Sequence, residues 1–138
     1  MTAAMNRHPG LRTVLYVDDE PDIREIVQLA LGLVDGLTVE VCESGERALQ
    51  RLPDITPDLV LLDVMMPGTD GPTTLQRMRA DPRLANIPVV FVTAKAMPAE
   101  VARFRELGAV AVIAKPFDPL QFGQQIVAIW EGIDHGRA

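Results

Sequence analysis

Short apolar runs that stop at a polar residue recur along the chain, with amphipathic stretches between them. Val14-Leu15-Tyr16-Val17 stops at Asp18, and Leu59-Val60-Leu61-Leu62 stops at Asp63. Val89-Val90-Phe91-Val92 stops at Thr93, and Val110-Ala111-Val112-Ile113-Ala114 stops at Lys115. Such continuous runs, rich in β-branched residues, predict strands buried on both faces. Leu37 to Cys42 alternates more, as an edge strand would.

The stretches between these runs carry helical signals. Ile23 to Leu33 repeats apolar residues at Ile23, Ile26, Val27, Ala30 and Leu31, behind Pro21 near a first-turn position. Ser44 can cap a helix running to Leu52. Thr73 to Arg79 predicts a short helix broken by Asp81-Pro82. Ala99 to Leu107 ends at Gly108, and Asp118-Pro119 opens a last helix toward Trp130. The order βαβαβαβαβα predicts an α/β domain, with a mainly parallel sheet covered by helices on both faces.

Size and composition agree with one such unit. The 138 residues fit one domain, and 48% apolar with 23% charged residues is an ordinary globular balance. Residues 1–10 read as a flexible N-terminal extension, 11–131 as the domain, and 132–138 as a C-terminal tail. The ends carry no evident tag and read as natural; one module cut from a larger protein is the alternative.

A net charge of −6 supplies no footprint for nucleic acid or an anionic membrane. No apolar run has the length of a membrane span, and Met1 to Gly10 lacks the apolar centre of a signal peptide. A cytoplasmic location is the expectation. Cys42, the single cysteine, excludes an internal disulfide and reads as a small buried residue rather than a redox group. Trp130 reads as packing for the last helix. His8 and His135 are the two histidines, both near the ends.

In an open parallel sheet, ligands collect beyond the carboxyl ends of the strands. Asp18, Asp19, Asp63, Thr93 and Lys115 all stand there. Each has two readings when taken alone. Asp18-Asp19 can cap the helix behind Pro21, or ligate a hard cation such as Mg²⁺ or Mn²⁺ that would offset carboxylate repulsion. Glu20 reads as a first-turn helix acid. Asp63 can form a turn, or act as a carboxylate nucleophile toward phosphorus. Thr93 can be a β-branched strand end or a hydroxyl donor to a phosphoryl oxygen. Lys115 can be an exposed strand-end lysine or the phosphoryl's counter-charge. Lys95 competes for that role but sits two residues beyond its strand.

Together these segments carry a resemblance. Val17-Asp18-Asp19-Glu20, Leu62-Asp63-Val64-Met65-Met66-Pro67-Gly68-Thr69-Asp70-Gly71, Val92-Thr93-Ala94-Lys95-Ala96 and Ala114-Lys115-Pro116-Phe117 resemble the motifs of bacterial response-regulator receiver domains, in their order and at fitting spacings. Gly45-Glu46-Arg47-Ala48-Leu49 and Leu107-Gly108-Ala109 add to the likeness, which extends from about Leu11 to Trp130.

The resemblance implies a flavodoxin-like, doubly wound, five-stranded parallel sheet in the order 2-1-3-4-5 with five helices. It implies that Asp63 accepts a phosphoryl group from a histidine kinase or histidine phosphotransfer protein. Asp19 and Asp63 would bind Mg²⁺ directly, Met65 would add its backbone carbonyl, and Asp18 would act largely through water. Thr93 and Lys115 would contact the phosphoryl group, and the Lys115-Pro116 bond would be cis. Catalysis would be limited to the domain's own phosphorylation and dephosphorylation. Output would be a protein contact, for which residues 99–130 are the family's usual face, or onward relay; pairing of two copies stays open. Met65 and Lys95 would flank the site and tune phosphoryl lifetime. One position departs from the family: three residues before Lys115, where Tyr or Phe is frequent, stands Val112.

Two other functions fit parts of the pattern. An aspartate-nucleophile phosphohydrolase would use Asp18 as its nucleophile, within a D-x-D motif that Asp18-Asp19-Glu20 does not complete. A binding module without phosphorylation would not need the complete polar set.

Overall fold

The computed structural model describes residues 10–133. The expectations for 1–9 and 134–138, including His8 and His135, lie outside the described residues. The strands are β1 (Thr13–Val17), β2 (Thr38–Cys42), β3 (Leu59–Asp63), β4 (Val89–Thr93) and β5 (Ala111–Ala114). They alternate with helices α1 (Pro21–Gly32), α2 (Gly45–Ile55), α3 (Gly71–Ala80), α4 (Pro98–Glu106) and α5 (Pro119–Gly132). All pairings are parallel, and the sheet order is β2-β1-β3-β4-β5. This is the expected flavodoxin-like sheet, with the alternating strand β2 at its edge.

Two apolar layers sandwich the sheet. On one face Val14, Tyr16, Leu59, Leu61, Val90, Val92 and Ile113 pack with Val27 and Leu31 of α1 and Phe122, Ile126 and Trp130 of α5. On the other, Leu15, Val17, Val60, Leu62, Val89 and Phe91 meet Ala48 and Leu52 of α2, Leu75 and Met78 of α3, and Phe104 of α4. Successive side chains of a strand point to opposite faces, so β3 and β4 need apolar residues at every position. Both are buried throughout.

The helix ends follow local chemistry. Ser44 accepts the Arg47 amide and caps α2, as its sequence position predicts. That helix runs past Leu52 to Ile55, with Pro53 accommodated in its last turn. Helix α3 starts at Gly71, not Thr73, because Asp70 accepts the Thr73 amide and Pro72 occupies the first turn. A side chain at Gly71 would meet the Asp63 carbonyl oxygen at 2.5 Å, so glycine lets α3 begin against the end of β3.

Candidate functional site

Register alone brings the polar strand ends together. Val17 pairs with Leu62, so the following residues, Asp18 and Asp63, emerge side by side. Asp63 pairs with Val92 and Thr93 with Ala114, placing Thr93 and then Lys115 on the adjoining strands. The Lys115 amide donates to the Thr93 carbonyl at 2.8 Å, so the β4–β5 ladder extends to the lysine. The Lys115–Pro116 bond is cis, as the resemblance implied.

Asp18 is fully buried and Asp63 nearly so, while Asp19 reaches solvent. One carboxylate oxygen from each lies within 4.8 Å of the others. Lys115 Nζ lies across this cluster, 2.7 Å from Asp18 Oδ2 and 3.4 Å from Asp63 Oδ1. Glu20 Oε1 stands farther off, at 4.0 Å.

Electrostatics follow from this crowding. Burial first, and then the Asp18 charge, pushes the Asp63 carboxyl up to about 6 despite the ammonium beside it. Burial pulls Lys115 down, but its hydrogen bond and charge interaction with Asp18, then Asp63, outweigh that and hold it above its ordinary value. The site is therefore an anion-rich pocket, incompletely offset by one internal cation.

The remaining predicted residues fall as follows. Thr93 is buried, and its hydroxyl oxygen accepts the Lys95 amide at 3.0 Å. The Lys95 side chain is exposed, and Lys115, not Lys95, reaches the acids. Met65 is exposed at the lip of the site. Neither Asp18 nor Asp19 caps α1; Glu20 holds that position, without a side-chain cap. Asp18 instead turns Oδ1 onto the Glu20 amide at 3.0 Å, so a local turn and membership of the acid cluster coexist. Val112 is half-buried among the α2–α3–α4 layer. Cys42 and Trp130 are buried, as read from the sequence.

Two residues with a direct hold on the site were not singled out in the sequence. The Tyr16 hydroxyl donates to Asp18 Oδ2 at 2.7 Å, and Arg24 Nη1 donates to the Asp18 carbonyl at 2.8 Å. Burial, then the hydrogen bond to Asp18, raises the Tyr16 hydroxyl far above its usual range, so it stays a donor. The available signal was parity: a tyrosine two residues before Asp18 in a strand shares its face, and a buried hydroxyl needs a partner.

The donor set suits a hard divalent cation: clustered carboxylates, one of them open to solvent, around a pocket with excess negative charge. Such an oxygen-rich site is where receiver domains bind Mg²⁺. Both Asp18 oxygens already accept protein donors, an arrangement unlike a free nucleophile's.

Comparison with known proteins agrees with this geometry. The family model described as response regulator receiver domain matches residues 14–127. The chain belongs to that family, whose members are phosphoryl-accepting signalling modules. It is 39% identical over 107 residues to response regulator Rre1 of Synechocystis sp., covering 78% of this chain and 46% of that protein. It is 36% identical over 118 residues to the phosphate regulon transcriptional regulatory protein PhoB of Pseudomonas aeruginosa, covering 86% and 51%. The chain thus spans about half the length of these curated relatives. The solved structure of chemotaxis response regulator CheY4 of Vibrio cholerae superposes with a TM-score of 0.79 at 26% identity, covering 86% of this chain and 98% of that one. Among the described residues, no helix is long and apolar enough to cross a membrane.

Proposed function

We propose that this domain takes a phosphoryl group on Asp63 from a histidine kinase or histidine phosphotransfer protein and passes the signal on by protein contact or relay. The observation that carries this reading is the convergence of Asp18, Asp19 and Asp63 beside Thr93, with Lys115 across Asp18 and Asp63.

An Asp63 carboxylate oxygen bonds to the phosphorus of a phosphoimidazole, the P–N bond breaks, and the electron pair stays on the imidazole nitrogen. The Thr93 hydroxyl and Lys115 ammonium then meet the phosphoryl oxygens. Hydrolysis reverses the state: water attacks phosphorus, the acyl-phosphate P–O bond breaks, and the Asp63 carboxylate and inorganic phosphate result. The Asp19 and Asp63 carboxylates and the Met65 carbonyl would hold Mg²⁺, or Mn²⁺ in its place, with Asp18 acting largely through water. A bound ion of this kind supplies positive charge to both the nucleophile and the transferring group.

Residues 99–130, spanning α4, β5 and α5, are the proposed downstream face. Leu107 and Leu120 are large apolar side chains left exposed there, and Met97 at the start of α4 is exposed as well. A second copy of the domain is one partner such a face could take. Incubation with Mg²⁺ and acetyl phosphate should add one phosphoryl group to the intact mass, and Asp63→Asn should remove that adduct. No adduct from acetyl phosphate, and none from histidine kinases of the source organism, overturns the reading.

A further inference from the structure

Asp18 is the most completely enclosed charge in the molecule's polar site, and its bonding is uneven. Among the described residues, Oδ1 accepts the Glu20 amide alone, at 3.0 Å. Oδ2 accepts two side-chain donors, the Tyr16 hydroxyl and Lys115 Nζ, both at 2.7 Å. These donors differ in mobility. Tyr16 is wholly buried in the α1/α5 layer, and its ring is fixed by packing. Lys115 is a flexible point charge that already lies 3.4 Å from Asp63 Oδ1. Arg24, the other nearby cation, is directed at the Asp18 carbonyl rather than its carboxylate.

A phosphoryl group on Asp63 brings new anionic oxygens to the ammonium's other side. Moving Lys115 onto them strips one donor from Oδ2 of a fully buried carboxylate. A buried anion deprived of a donor is disfavoured unless another donor already holds it. With the tyrosine hydroxyl in place, Oδ2 keeps a short hydrogen bond throughout.

We propose that Tyr16 is a positioning residue that lets Lys115 leave: its hydroxyl keeps the Asp18 carboxylate oriented and hydrogen-bonded while the ammonium transfers to the phosphoryl group on Asp63. The inference rests on the reading of Asp63 as the phosphoacceptor. Tyr16 touches no reacting atom and acts through Asp18 and Lys115.

The test compares wild type, Tyr16→Phe, Lys115→Ala and the double variant. Phenylalanine keeps the ring and deletes only the donor. Beryllofluoride with Mg²⁺ mimics a phosphoryl group without covalent chemistry, so its affinity, measured by calorimetry, reads the ammonium transfer directly. Tyr16→Phe should weaken that affinity about tenfold and slow acetyl-phosphate labelling comparably, as expected for one lost hydrogen bond to a charged group. Its urea midpoint, measured alongside, should fall by less than a core truncation costs, since the resting hydrogen bond is lost but the ring stays packed. In the Lys115→Ala background, where no ammonium has to move, the tenfold loss should vanish. Wild-type affinity in Tyr16→Phe, or an equal loss in both backgrounds, overturns the inference. If wild type itself takes up no phosphoryl group, the Asp63 reading fails instead; labelled wild type with an equally labelled Tyr16→Phe sinks the Tyr16 inference alone.

Discussion

The two faces of the sheet are joined to the polar site by different chemistry. On the α1/α5 face, Tyr16 sends a hydroxyl from the middle of the core to Asp18. On the α2–α3–α4 face the aromatic residues are Phe91 and Phe104, stacked edge-to-face with centroids 5.1 Å apart, and Val112 adds only an aliphatic side chain. One layer holds the site through a directional hydrogen bond, the other through shape. A hydrogen bond can be removed with little change in volume, whereas packing cannot. The first face should therefore respond to mutation in function, and the second in stability.

The largest effect expected lies at the junction of the two. Asp63→Asn should cut phosphoryl uptake at least about a thousandfold, as loss of a nucleophile does, while both layers stay folded. Mass spectrometry and circular dichroism check the two halves of that statement. The same variant reports on charge crowding. The Asp63 carboxyl titrates near 6 when folded against an ordinary 3.8, so the native state binds the extra proton between these values. Stability must then fall as pH rises through that window and stay reduced above it. Urea titrations in metal-free buffer should show wild type losing up to about 3 kcal/mol relative to Asp63→Asn between pH 4 and 6. Parallel curves for the two proteins would refute the crowding.

Phe104→Ala tests the packed face. Losing a ring that is 1% exposed and stacked on Phe91 should cost about 3–5 kcal/mol in a denaturant titration. Acetyl-phosphate labelling per folded molecule should change less than about twofold, since no atom of the ring belongs to the polar site. A tenfold loss in labelling without unfolding would erase the contrast between the faces. The smallest effect is expected at Val112. Val112→Tyr inserts a ring at a half-buried position and should cost about 1 kcal/mol, with labelling unchanged within about twofold. A large change in labelling would mean that this face too is coupled to Asp63.

Legibility in the sequence follows the same division. Strands β1, β3, β4 and β5 were readable because burial on both faces demands unbroken apolar runs, and the strand ends then named Asp18, Asp63, Thr93 and Lys115. The sheet order rested on the resemblance, since apolar periodicity carries no information about which strands adjoin. The apolar pattern started the third helix at Thr73, whereas Gly71-Pro72 is the first turn of α3, because Asp70 caps it from outside that pattern. Pro53 hid the last turn of α2 in the same way. Tyr16 was absorbed into an apolar run; the parity that puts it on the Asp18 face, and the burial of its hydroxyl, give it a polar role.

Gly71 bears on how this surface can diversify. Its amide donates to the Val64 carbonyl at 2.9 Å, and the space where a Cβ would sit is filled by the end of β3. The ends of the Val64–Asp70 segment are thereby pinned, while Met65, Pro67 and Gly68 remain exposed between them. Substitutions at Met65 or Pro67 can alter what a partner meets without shifting the Asp63 backbone. Any replacement at Gly71 must displace that backbone itself. Gly71 is thus the fixed anchor of this loop, and Met65 and Pro67 are the positions where its exposed side chains can change around that anchor.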